Sequence, residues 1–356
     1  MYQFSNLPIK DWRRLATWSL TAALLIVVAV YGGRALLAGP RGPVSLVVYA
    51  FSTQEEVLTQ GIFPAFEETW EAEAGRDLTI QGVFGPSGTL AGQINLGAPA
   101  DVALLSNEQH VNWLKIGRRV PADAEALVVS STPMVIVTRP GNAAGIADYH
   151  DLAGPGLRLL HADPHTSGAG DWAVLAEYGS LLLESGDPAA ARAQLEAIWR
   201  NVHLLAPSAR ATLTLFELGA GDALVTYEQD ARLAQARGVP LEIVIPPRTI
   251  IAHHVVVMVD ANLTAAERPA ARAFVAYLAS DAGQQAFIRY QLRPAGPAPG
   301  GDLRQGQLLH ADFPPLFQPF SVEDLGGWSQ AYTEIVEGVW QTDIEPHLKK
   351  DRLVDW

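Results

Sequence analysis

The strongest constraint on this chain is a rhythm of short buried strands and helices that begins at residue 44. Residues 44–49 (VSLVVY) are a run rich in β-branched and apolar side chains, the mark of a strand covered on both faces. An apolar stripe at helical spacing follows within 55–74, at Val57, Ile62, Phe63, Phe66 and Trp70, and predicts an amphipathic helix. Residues 78–84 (LTIQGVF) predict a second strand, followed by the turn Gly85-Pro86-Ser87-Gly88 and a helix over 89–96; residues 100–105 (ADVALL) predict a third strand. Strand and helix in strict alternation specify a parallel α/β sheet.

The rhythm returns further along. Strands are expected over 133–138, 158–161, 222–226, 242–245 and 255–259, with helices over 172–184, 188–199 and 265–280. Residues 294–301 (PAGPAPGG) read as a loop of breakers. A chain of 356 residues has the length for two lobes, and 49% hydrophobic against 18% charged residues supports a sizeable core rather than disorder. The net charge of −13, with no Lys/Arg run, excludes nucleic acid as a partner, since phosphates demand a basic face. It does not exclude a small anion, because local dipoles govern a pocket. The chain has no cysteine, which removes disulfides, thiolate metal sites, cysteine nucleophiles and lipidation at a lipobox cysteine.

The N-terminus reads as a targeting or anchoring segment. Lys10, Arg13 and Arg14 precede an uncharged, largely apolar stretch over 15–33, long enough at 1.5 Å per residue to cross a hydrocarbon core of ~30 Å. Positive charge ahead of the span predicts residues 1–14 in the cytoplasm and the rest outside. A cleaved signal peptide is the rival reading; Arg34 and Pro40 make a poor cleavage site and favour an uncleaved anchor. Residues 34–43 are then a linker.

Open α/β sheets bind ligands beyond the carboxyl ends of their strands. Three such ends carry small polar turns: Ala50-Phe51-Ser52-Thr53, Gly85-Pro86-Ser87-Gly88 and Thr166-Ser167-Gly168-Ala169. A helix start leaves its first N–H groups unpaired and carries about half a positive charge, so it suits an anion. One serine before a helix is ordinarily an N-cap; three such turns at matching strand ends point to a ligand.

Several long segments resemble the sulfate/thiosulfate-binding proteins, type II periplasmic binding proteins of ABC importers. They are GPSGTLAGQINLGAPADVALL (85–105), MVIVTRPGN (134–142), DYHDLAGPGLRLLHADPHTSGAGDWAVLAEYG (148–179), SARATLTLFELGAGDALVTYEQDARLA (208–234) and EDLGGWSQA (323–331). The resemblance implies two α/β lobes closing on a dehydrated oxyanion across a hinge of crossing strands. It divides the chain into 44–132 (first lobe), 133–252 (second lobe) and 253–356 (first lobe again, with C-terminal helices). It implies an extracytoplasmic protein that hands its ligand to ABC permease subunits and uses no cofactor. The ligand contacts it carries over are Ser87, then Ser167, Gly168 and Ala169, then the segment Ser208-Ala209-Arg210 with Ala209 as donor.

Three positions depart from that family. Phe51-Ser52-Thr53-Gln54 stands where the family has an Asp-Pro-Thr-Arg run, Asp171 where it has an arginine, and Tyr227 where it has a tryptophan donor. The first and third departures resemble the molybdate-binding proteins, which use an early serine and a tyrosine hydroxyl. Ser52 and Tyr227 therefore join the expected ligand contacts, and molybdate or tungstate stands beside sulfate or thiosulfate as the ligand.

Other constellations carry less. His161, Asp163 and His165 lie in a strand-to-turn run where Pro164 prevents a helical pairing of the imidazoles, so no metal site is expected. Adjacent His253 and His254 point to opposite faces of a strand, consistent with packing or a hinge, and Trp328 and Trp340 read as C-terminal packing residues. A serine hydrolase using Ser87 or Ser167 needs a neighbouring base, and neither motif brings a histidine except His165. A membrane-tethered sensor needs a cytoplasmic output domain, for which residues 1–14 are too few. No catalytic residue is expected.

Overall fold

The computed structural model describes residues 42–295 and 312–352. The predicted span 15–33 and most of the predicted linker lie outside the described residues, as do residues 296–301 of the breaker loop. Among the described residues no helix is long and apolar enough to cross a membrane.

Among the described residues, eleven strands build the sheet region. In the first half, β1 (Val44–Phe51) pairs in parallel with β2 (Leu78–Gly85) and β3 (Val102–Leu105). All four residues of β3 are buried, as its unbroken apolar run requires. The next strands are long: β4 (Leu127–Thr138) and β9 (Arg248–Met258). The second half is built on β5 (Leu159–Ala162), β6 (Val202–Ala206), β7 (Ala223–Tyr227) and β8 (Glu242–Val244). The short β10 (Arg293–Pro294) and β11 (Gln318–Phe320) add to β4 and β9.

β4 and β9 join the halves. The first part of β4 pairs antiparallel with β9, ending at Pro133 opposite Ile251. From Met134 onward β4 pairs instead with β7, and from Ile136 also with β8. Sequence reading begins this strand at Pro133; the structure begins it at Leu127, because proline, which has no N–H for a ladder, sits where the strand exchanges one partner for the other. The Met134 carbonyl at this crossing accepts from Thr249 Oγ1 at 2.6 Å and Tyr149 Oη at 3.2 Å. β9 likewise starts at Arg248, seven residues before the expected 255.

The predicted helix over 55–74 divides into a π-helical stretch, Val57–Ile62, and an α-helix, Phe63–Ala74. At the other end of the chain, Trp328 packs edge-on against Trp172 at 4.6 Å and Trp340 against Trp199 at 5.1 Å. The C-terminal helices thus rest on the helices Gly168–Ser185 and Pro188–Arg200, within the 133–252 portion. Beneath them, buried Glu177 joins His161 at 2.6 Å and accepts from Trp199 Nε1 at 2.8 Å. Among the described residues no cluster of His, Asp or Glu could hold a metal ion.

Candidate functional site

The small polar turns converge. β1 leads into Ser52-Thr53, β2 leads through Pro86 into the helix Ser87–Asn95, and β3 leads into Ser106. From the other half come the starts of the helices Gly168–Ser185 and Ala209–Glu217, and Tyr227 at the end of β7. These elements enclose a small cavity of about 10 Å³, far below the several hundred Å³ of a drug-sized pocket. All seven residues expected to bind ligand line it: Ser52, Ser87, Ser167, Gly168, Ala169, Ala209 and Tyr227. Phe51, Thr53, Pro86 and Ser106 complete the wall, and none of the lining residues is charged.

The donors can be followed one by one. At the Ser87 helix the Gly88 and Thr89 N–H groups both donate to the Thr166 carbonyl, at 3.0 and 3.2 Å, tying the first half to the second. Ser167 caps its helix by accepting from the Ala169 N–H at 3.2 Å, and Ser208 caps the next by accepting from Ala211 at 3.1 Å. Among the described residues the Ser87, Gly168 and Ala209 N–H groups are left with no protein acceptor. Each stands at a positive helix end.

Three buried side-chain oxygens on the wall, Thr53 Oγ1, Ser106 Oγ and Tyr227 Oη, have no hydrogen-bond partner of good geometry. Leaving a buried polar group unpaired costs about 1–3 kcal/mol, so their clustering here marks a place for acceptor atoms. Burial holds the Tyr227 hydroxyl protonated, its pKa far above the ordinary tyrosine range; the nearby Ser106 hydroxyl only partly opposes this. The Tyr227 ring is fixed edge-on against His254 at 5.4 Å and Phe51 at 6.2 Å. His254 meets Ser130 Oγ at 3.0 Å, and burial pushes its pKa down to about 3. It is therefore a neutral wall behind the tyrosine.

Ser87 holds a finding that the sequence did not yield. Its Oγ accepts from the Ser106 N–H at 3.0 Å and lies 2.9 Å from His110 Nδ1. The histidine that sequence reasoning did not find beside either serine comes from the helix Glu108–Ile116, 23 residues away. Arg210 turns from the cavity to grip Glu56 across the cleft, at 2.5 and 2.7 Å, with Asp230 at 3.2 Å. A Cβ at Gly168 would come within 1.8 Å of Ser106 Oγ, so any larger residue there would displace the Ser106 side chain.

Comparison with known proteins agrees with this construction. The bacterial extracellular solute-binding protein family matches residues 46–293. A sulfate-binding protein of Synechococcus elongatus is 32% identical over 94% of this chain and 97% of its own length. A thiosulfate-binding protein of Pseudomonas aeruginosa is 32% identical over 89% and 96%. Among solved structures, the sulfate-binding protein SubI from Mycobacterium tuberculosis superposes with a TM-score of 0.72 and 26% identity, covering 82% of this chain and 99% of that one. With matches of this extent the chain belongs to the bacterial extracellular solute-binding protein family, alongside its sulfate- and thiosulfate-binding proteins.

Proposed function

We propose that the protein captures a tetrahedral oxyanion, sulfate or thiosulfate, and presents it to the permease of an ABC importer. The observation that carries this reading is the set of unpaired donors around an uncharged cavity: three buried hydroxyls and three helix-start N–H groups. A dianion can be held by aligned dipoles without a countercharge, and its oxygens supply the acceptors these groups lack. Tyr227 in the wall, where the molybdate-binding proteins that the chain also resembles use a tyrosine hydroxyl, favours a second ligand, molybdate or tungstate.

The reading also takes residues 44–132 with the part of the chain that returns after 253 as one lobe and 133–252 as the other, with the C-terminal helices resting on the latter and β4 and β9 as the hinge; the exchange of partners at Pro133 supports it. The segment 15–33 would tether the protein outside the cytoplasm. A hydrolase is disfavoured although Ser87, His110 and Asp171 stand in line. Burial holds the His110 imidazole at about 3, too weak a base to activate a serine near neutral pH.

Isothermal titration with sulfate, thiosulfate, molybdate, tungstate and phosphate tests the proposal. Binding of sulfate or thiosulfate is the expected result. Binding of molybdate and tungstate alone would select the second ligand, and failure of all five would remove the oxyanion reading.

A further inference from the structure

Behind the Ser87 wall of the cavity lies a polar chain that oxyanion binding alone does not explain. His110 Nδ1 meets Ser87 Oγ, while its Nε2 stands 3.5 Å from Asp171 Oδ2, within ion-pair range but without a formed hydrogen bond. The same carboxylate oxygen accepts from Asn107 Nδ2 at 3.0 Å. Both His110 and Asp171 side chains are shut off from water, and Asp171 Oδ1 has no partner. The titratable groups facing Asp171 are His110, Asp163 from the turn before its own helix, Tyr227 on β7 and Tyr332 from the C-terminal π-helix. No lysine or arginine is among them. An ionised carboxylate here would be buried without a countercharge, one turn into a helix whose start faces the cavity.

The number of protons on this pair decides what Ser87 can do. With none, the neutral imidazole must place its one ring proton on Nε2, facing the carboxylate. Nδ1 is then an acceptor and takes the Ser87 hydroxyl proton. With one proton on the pair there are two arrangements. Asp171 as a neutral acid facing Nε2 is the arrangement that burial of the imidazole favours; an imidazolium would be equivalent at Ser87. With the proton in place, Nδ1 carries hydrogen, Ser87 Oγ accepts from His110 and from the Ser106 N–H, and its own proton is left for the cavity.

We propose that His110 and Asp171 form a one-proton site whose occupancy frees the Ser87 hydroxyl to face the bound oxyanion, so that capture is coupled to uptake of a proton. This rests on the oxyanion reading and deepens it. The two residues belong to different proposed lobes. When the lobes part, Asp171 meets water and ionises; when they close, burial raises its affinity for a proton well above the usual carboxylate range and the pair refills. His110 and Asp171 are positioning residues that act through Ser87.

The test is calorimetric, on the full chain with sulfate, which remains a dianion throughout the neutral range. Titrations near neutral pH in buffers of different ionisation enthalpy should give an observed enthalpy that scales with the buffer's, corresponding to net proton uptake of up to one per sulfate. Affinity should fall about tenfold per pH unit wherever uptake is complete. Asp171→Asn, uncharged at every pH, should bind with no proton taken up. Sulfate binding by the wild type without buffer dependence would overturn this inference alone, as would unchanged uptake in Asp171→Asn. Failure of the wild type to bind any oxyanion would remove the functional reading together with it. The wild-type slope needs no variant, so a poorly folding substitution leaves the test intact.

Discussion

Tyr227→Phe separates binding from packing. The substitution keeps the ring between His254 and Phe51 and deletes only a buried hydroxyl with no well-formed protein hydrogen bond. Without ligand nothing is lost, so the melting temperature should stay level or rise slightly. With an oxyanion bound, the hydroxyl donates to a charged acceptor, a bond worth about 1.5–3 kcal/mol. At about 1.4 kcal/mol per decade the dissociation constant should rise roughly 10- to 150-fold. Titration calorimetry reads the affinity and differential scanning fluorimetry the stability; the ligand-induced rise in melting temperature should shrink accordingly. An affinity within twofold of wild type would refute the reasoning, as would a clear fall in the unliganded melting temperature, which would make Tyr227 a packing residue.

Ser106→Ala removes a second unpaired hydroxyl and should also weaken oxyanion affinity about tenfold in the same titration. Gly168→Ala forces a methyl group against Ser106 Oγ and should weaken binding at least as much, with little change in far-ultraviolet circular dichroism. Phosphate should bind less tightly than sulfate, because no carboxylate lines the cavity to accept the proton of hydrogen phosphate; equal affinities in competition would contradict this. Glu177→Ala leaves two buried partners, His161 and Trp199, without their acceptor and should destabilise the fold by about 3–5 kcal/mol, measured by urea denaturation.

Much of the site was legible because its chemistry is local. Helix-start donors follow from short turns such as Gly85-Pro86-Ser87-Gly88, and a strand end locates each turn before any tertiary contact is known. The same rule would have found Ser106, which directly follows β3 and precedes Asn107, the cap that accepts from the His110 N–H at 3.0 Å. It went unmarked because no glycine-rich turn announces it. The His110–Asp171 contact was not legible: the residues are far apart in the chain, and although Asp171 stood out as a departure from the family, nothing marked His110 as its partner. Strand rhythm gave β1, β2 and β3 closely, whereas the long β4 was cut short at Pro133. Period-2 patterning cannot distinguish a strand that changes partners from one that starts late.

If the protein serves an importer as proposed, its unpaired hydroxyls bear on what a permease can infer from shape. Closing the cavity without an anion strips water from Thr53, Ser106 and Tyr227 and returns nothing, at about 1–3 kcal/mol for each group. Even about 3 kcal/mol in total disfavours that form by more than a hundredfold. A closed outline therefore signals cargo with few false positives, and a permease that reads only the outer contour is spared turnovers on a carrier that holds no anion.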